Sequence, residues 1–194
     1  ALGMSDFSPP TPNAPGMAYI PWRRIASWSC TSCGLCCMRF AVFLTKAERD
    51  EMVAQFGRKV VLEHHSGPRL RKLGRRCFFQ RWTDETSCCL LQNTDLKPSA
   101  CRIFPFLASP KPLRDRNAKE SFFTLGNQEL YIYANSRCPS LVLGRPSTYL
   151  TEKVLPEIAE IAVSGRRRQR YTTSDAETRI AARSTIVLPI RPLV

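Results

Sequence analysis

The stretch Cys30-Thr31-Ser32-Cys33-Gly34-Leu35-Cys36-Cys37 decides how the rest of this sequence is interpreted. Its two-residue gaps let successive thiolates point at one centre while the backbone amides turn inward, and Gly34 allows a tight turn between them. This spacing suits a tetrahedral metal ion or one corner of an iron–sulfur cluster. Because adjacent side chains usually diverge, we expect Cys36 and Cys37 to serve two centres, or one of them to be a bystander.

The remaining cysteines extend the same prediction. The chain has 9 cysteines in all, and the others are Cys77, Cys88, Cys89, Cys101 and Cys138. A secreted disulfide framework spreads an even number of cysteines along the chain, whereas these are odd in number and crowded. All nine are therefore candidate metal ligands, and the pattern indicates a reducing compartment.

The motifs around these cysteines resemble a known family. In chain order they are Cys30-x2-Cys33-Gly34-x-Cys36-Cys37, Leu44-Thr45-x2-Glu48, Cys77-Phe78-Phe79, Cys88-Cys89, Lys97-Pro98-x2-Cys101-Arg102-x-Phe104-Pro105 and Cys138-Pro139. Over about residues 28–140 this order is similar to the zinc- or iron-chelating cysteine-cluster family, the CxxCxxCC proteins. Lys97 stands where the family usually has Arg, and the gap before Cys101 is stretched.

The resemblance implies a ligand set of eight cysteines, so one of Cys88 and Cys89 is surplus. We choose Cys89, which gives the set Cys30, Cys33, Cys36, Cys37, Cys77, Cys89, Cys101 and Cys138. The first three with the remote Cys138 resemble the three-plus-one arrangement of 4Fe–4S sites. We expect an iron–sulfur cluster on this basis. One or two zinc ions are the alternative, with the thiolates divided into sets of four.

Local signals predict a small, irregular α+β domain stabilised by metal, with short strands and two main helices. Thr45 and Glu48 form a capping box that begins a helix, and Gly57 ends it. A second helix is predicted over residues 148–163, and residues 109–119 are predicted to form a loop. Strands are predicted over residues 39–44, 77–82, 88–91, 103–107, 122–125 and 130–134, with a hairpin turn at Gly126-Asn127.

The composition of successive segments predicts the domain organisation. We expect a Pro-rich extended arm over residues 1–21, the metal-binding domain over 22–163 and a basic tail over 164–194. The chain of 194 residues carries a formal charge of +13, and no apolar run approaches the length of a membrane span. The basic charge and the first residue, Ala1, are compatible with import into the mitochondrial matrix and removal of a transit peptide.

No catalytic motif accompanies the cysteines, so we do not expect an enzyme or a small-molecule substrate. Arms without a core of their own become ordered against partners, which favours a non-catalytic metal-cluster subunit of a larger assembly. The resemblance suggests an accessory subunit of mitochondrial respiratory complex I, in contact with a membrane complex and able to transfer electrons if the centre is iron–sulfur. The alternatives are an RNA-binding metal protein, such as a mitochondrial ribosomal subunit, and a small iron–sulfur oxidoreductase or metal-handling protein.

Overall fold

A computed structural model describes residues 19–82, 86–114, 117–165 and 167–174. The chain divides into two compact units. Of the described residues, the first unit comprises 19–31, 99–114, 117–165 and 167–174, and the second comprises 32–82 and 86–98. Both units combine helices with short antiparallel strands, which confirms the predicted α+β class.

The first unit is built on a four-stranded antiparallel sheet. Its strands are β1 (Tyr19–Pro21), β9 (Phe106–Ser109), β10 (Phe122–Leu125) and β11 (Gln128–Asn135). The long strand β11 pairs with all three others. Gly126 adopts a φ of +57° in the turn between β10 and β11, which confirms the predicted hairpin.

A helical stretch packs its apolar face into the first unit's core. It begins as a π-helix over Leu150–Val154 and continues as α5 (Leu155–Ser164), close to the predicted helix. Pro156 lies in the first turn of α5, directly after the π-helix. The fully buried side chains of Leu150, Val154 and Ile158 share this core with Ile132 of β11. The unit also contains β2 (Ile25–Trp28), α3 (Ser99–Ile103), α4 (Ala118–Ser121) and β12 (Leu141–Leu143).

Among its described residues, the second unit has two α-helices, a 3-10 helix (Arg58–Val60) and six very short strands. The α-helices are α1 (Leu35–Arg39) and α2 (Lys46–Phe56). The strands form three antiparallel pairs: β3 (Val61–Leu62) with β4 (Arg69–Leu70), β5 (Lys72–Leu73) with β6 (Arg76–Cys77), and β7 (Gln80–Trp82) with β8 (Ser87–Cys89). The capping box at the start of α2 is confirmed, since the side chains of Thr45 and Glu48 each accept the other's backbone N–H. The unit's core includes Met52 of α2 and Phe79.

Four predictions of local structure need correction. The strand predicted over residues 77–82 is interrupted, because a turn at Phe78-Phe79 separates β6 from β7. The strand predicted over residues 39–44 is absent: α1 continues to Arg39, and Phe43 forms only an isolated bridge with Arg69, because its partner β4 is two residues long. The strand predicted from residue 103 begins only at Phe106, since α3 occupies the residues before it. The loop predicted over 109–119 ends in the first turn of α4.

The predicted arms are described only in part. Residues 19–21 of the N-terminal arm form β1, and residues 167–174 of the basic tail belong to the first unit. Ser164 and Gly165, the first residues of the predicted tail, form the end of α5, and residues 1–18, 166 and 175–194 lie outside the described residues. No helix among the described residues is long and apolar enough to cross a membrane.

Candidate metal centre

The adjacent cysteines of α1 are close enough to share one ion. The Sγ atoms of Cys36 and Cys37 lie 3.9 Å apart. Two thiolates on one tetrahedral zinc, with bonds of about 2.3 Å, stand about 3.8 Å apart. The expectation that these side chains diverge is therefore wrong, and the pair has the spacing of two ligands of a single metal ion.

Cys77 lies near this pair, on strand β6, which contacts α1. Its thiol is buried, and burial raises its pKa above the usual range. Lys72 lies opposite Cys77 across the β5–β6 pair and acts against that shift. The ammonium of Lys72 donates to the carbonyl of Met38 in α1 at 2.8 Å. Burial lowers the pKa of Lys72, and the nearby Cys77 and Cys37 oppose that shift. Lys72 thus supplies a positive charge where several thiolates would gather.

The β7–β8 hairpin presents its two cysteines on opposite faces. Cys89 pairs with Gln80 and Cys88 pairs with Arg81, and paired residues project to the same side of a sheet. The Gln80 side chain donates through Nε2 to the carbonyl of Gly34, at 3.2 Å. Cys89 therefore shares the face that meets the cysteine motif, which supports its choice over Cys88 as a ligand. That choice stays a prediction.

The same hairpin fixes the backbone on both sides of Cys33. Ser87 donates its backbone N–H to the carbonyl of Ser32 at 3.0 Å, and Gln80 holds the carbonyl of Gly34. Ser32 and Gly34 have φ values of +54° and +70°, in the left-handed region. Between them Cys33 is exposed. The sequence contains no signal for the roles of Gln80, Ser87 and Lys72, because these roles follow from strand pairing between distant residues.

We expect Gly34→Ala to disrupt this loop. A Cβ at Gly34 would lie 2.5 Å from Ser87 Oγ and 2.6 Å from Gln80 Nε2, besides the left-handed φ. Gly74→Ala is a matched control, since Gly74 has a φ of +60° in open space. The control should lose about 1 kcal/mol of unfolding free energy, and Gly34→Ala should lose about 2–4 kcal/mol together with metal content. Equal losses in denaturant titrations of both variants would contradict the close approach.

In the first unit, strand pairing brings Cys30 and Cys138 to one end of a ladder. Trp28, the last residue of β2, pairs with Leu141, the first residue of β12. Cys30 comes shortly after Trp28 in the chain, and Cys138 comes shortly before Leu141. Beyond the ladder, the hydroxyls of Thr31 and Ser140 are hydrogen bonded at 2.9 Å. Both cysteines pack against the first unit's core. The predicted link between Cys30 and Cys138 therefore has a topological basis.

Cys101 and Cys138 both lie beyond the same end of the four-stranded sheet. Cys101 lies in α3, directly before β9, while Cys138 follows β11, and these two strands are paired. The ladder extends beyond them by a bond from the backbone N–H of Asn135 to the carbonyl of Pro105, at 2.8 Å. The N–H of Cys138 then donates to the carbonyl of Asn135. The chain segments that carry Cys101 and Cys138 are thus adjacent to the paired ends of β9 and β11.

The donor set fits zinc or iron. All nine cysteines are thiols, and soft thiolate ligands select these metals over magnesium or calcium. Across the described ranges, no three side chains of His, Cys, Asp or Glu already form an ion-binding group. The boundary between the two units falls after Thr31, within Cys30-x2-Cys33, so the three-plus-one grouping stays a prediction.

Comparison with known proteins agrees with this donor set. Residues 29–140, more than half of the chain, match the CxxCxxCC family model, which carries the description "putative zinc- or iron-chelating domain". Neither a curated protein nor a solved structure matches the chain significantly. The arrangement of thiols and the extent of this match place the chain in the CxxCxxCC family of zinc- or iron-chelating domains.

Proposed function

We propose that this chain is a non-catalytic metal-binding subunit, which holds zinc or iron through cysteine thiolates and contributes a metal-stabilised surface to a larger assembly. The single observation that carries the metal assignment is the 3.9 Å separation of the Cys36 and Cys37 sulfurs, beside the buried Cys77. In the second unit, the proposed ligands are these three cysteines with Cys89. In the first unit, they are Cys30, Cys101 and Cys138, and the exposed Cys33 stays a predicted ligand with no centre assigned to it.

The sulfur spacing favours a mononuclear ion in the second unit. In a 4Fe–4S cluster each iron takes one cysteine, so two cysteines on different irons stand further apart than two ligands of one ion. Zinc bound by thiolates stabilises the fold without redox chemistry. An iron–sulfur cluster is the second candidate, supported by the Cys30-x2-Cys33-x2-Cys36 spacing with Cys138-Pro139. A cluster would add electron transfer to the proposed role.

The assembly we propose is a mitochondrial respiratory complex, namely complex I, with the chain on its matrix side. This placement is supported by the family resemblance of the cysteine motifs and by the formal charge of +13. Arginine side chains suit a subunit of a large complex, because a guanidinium forms bidentate pairs with carboxylates of neighbouring subunits. A tagged chain expressed in its own organism should co-sediment with NADH dehydrogenase activity. Sedimentation apart from that activity would remove the complex I placement and leave metal binding intact.

A second candidate partner is RNA, on the strength of five exposed basic side chains in the second unit. Arg58, Lys59, Arg71, Arg75 and Arg76 are exposed, and none forms an ion pair with a described carboxylate. Uncompensated cations of this kind bind phosphate with a strong dependence on salt. An RNA affinity that falls steeply between low and physiological salt, and falls again in Arg75→Gln/Arg76→Gln, would favour this partner over a protein subunit.

Metal and acid-labile sulfide content of anaerobically purified chain tests the metal assignment. Zinc or iron without sulfide is expected if the second unit holds a mononuclear ion. Iron with equimolar sulfide and a broad visible absorption would instead establish the cluster. A chain that binds neither metal, with all its thiols reduced, would overturn the proposed function.

A further inference from the structure

Residues 167–174, which we call the strap, contact a buried carboxylate of α5. Glu157 of α5 is 3% exposed. Its two oxygens accept backbone N–H groups from three consecutive residues, Arg170 at 2.6 Å, Tyr171 at 2.6 Å and Thr172 at 2.7 Å. Hydrogen bonds to an ionised acceptor are about twice as strong as neutral ones. This side chain therefore anchors three consecutive residues of the strap to α5.

The strap in turn supports the helix that carries Cys101. The Gln169 side chain donates through Nε2 to the carbonyl of Arg102 at 2.8 Å, and also to the carbonyl of Thr172. Helix α3 has five residues, and the last four carbonyls of any helix lack a partner within it. A helix this short is not stable alone in water. Gln169 supplies one of the missing partners, next to Cys101.

We propose that docking of the strap is coupled to metal binding by Cys101, with Glu157 and Gln169 as positioning residues. This inference rests on the proposed function, because it takes Cys101 as a ligand. A docked strap holds α3, and a held α3 keeps Cys101 where a metal can use it. Coupling is reciprocal, so a bound metal holds the strap in place to the same extent. A partner that draws the strap away would loosen the metal, and metal loss would release the strap.

The test combines zinc release with proteolysis of the full chain. Glu157→Gln preserves the shape of the side chain but places an N–H donor against backbone donors. We expect zinc transfer to a chromogenic chelator to be about tenfold faster in this variant, within the usual range of coupling energies. Trypsin should cut the strap about tenfold faster as well, after Arg167, Arg168 or Arg170. Glu152→Gln is the matched control, an exposed carboxylate in the π-helix before α5, and should behave as wild type.

Two further variants separate coupling from a loss of folding. Gln169→Ala removes the bond to α3 and keeps the three bonds to Glu157. It should speed zinc release more than it speeds strap cleavage. In a Cys101→Ser background, Glu157→Gln should have no further effect on zinc release, because the coupled ligand is gone. In wild type, zinc should slow strap cleavage about tenfold relative to the reduced, chelated chain.

The outcomes distinguish this inference from the proposed function. If the wild-type chain binds no zinc or iron, both are overturned. If it binds metal but Glu157→Gln releases zinc at the wild-type rate, the proposed function stands and the coupling is wrong. If Glu157→Gln acts equally with and without Cys101, the strap does not act through that cysteine and the inference is overturned.

Discussion

Removal of metal from the reduced chain is expected to unfold the second unit while the first unit keeps its sheet. The second unit has strands of only two or three residues, and no pair among them is stable in isolation. Thiolate sites of structural zinc contribute about 10–16 kcal/mol in small domains, which is as large as the whole stability of an ordinary domain. Without the ion, the favourable interactions within this unit should no longer offset the conformational entropy that is lost on folding.

The first unit differs because its buried core is larger than that of the second unit and is built on longer elements. Strand β11 is eight residues long and pairs with three others, and α5 buries Leu155, Ile158 and Ile161 beside them. Such a sheet and helix bury enough apolar surface to remain folded without an ion. Loss of metal should loosen its cysteine-bearing ends before its sheet.

Hydrogen exchange with mass spectrometry measures the two units separately. In the chelated, reduced chain, amides of β3 to β8 should exchange faster by more than about 1,000-fold, while those of β10 and β11 stay protected. Restoring zinc should restore protection. Unchanged exchange in β7 and β8 after chelation would contradict a structural metal in the second unit. Equal loss in β10 and β11 would show that the first unit also depends on the ion.

Much of the fold could be predicted because its signals are local. The capping box at Thr45 and Glu48, the end of α2 at Gly57 and the turn at Gly126 each depend on residues only a few positions apart. These features depend on backbone geometry and neighbouring side chains. The confirmed elements are those with such punctuation.

The missed features depend on contacts between distant residues. The stretch from 39 to 44 has strand-forming residues, but its partner β4 offers only two residues, so no ladder forms. Gln80 holds the carbonyl of Gly34 across 46 positions of sequence, and Glu157 holds a strap 13 to 15 residues away. Nothing in the residue types at these positions predicts such partners. The spacing of the Cys36 and Cys37 sulfurs depends on the short helix that carries them.

Replacement of Cys89 by Ser is expected to abolish metal binding in the second unit, whereas Cys88→Ser should retain it. The two residues are neighbours and the substitution is the same, so the pair is its own control. Cys89 shares a face with Gln80, whose side chain reaches Gly34, and Cys88 shares a face with the exposed Arg81. Loss of a thiolate from a site of four should lower metal affinity more than the 10–100-fold typical of residues that only surround the ligands.

Both variants also lose stability, for different reasons. Cys88 is 9% exposed, so a serine there buries a hydroxyl at a cost of about 1–3 kcal/mol. That cost should appear equally with and without zinc. Cys89→Ser should instead lose stability only in the metal-loaded chain, because the ion no longer binds the folded state preferentially. Metal content together with denaturant titrations in zinc and in chelator measures this contrast. A metal-free Cys88→Ser beside a loaded Cys89→Ser would reverse the assignment, since the face of the hairpin opposite Gln80 would then hold the ion.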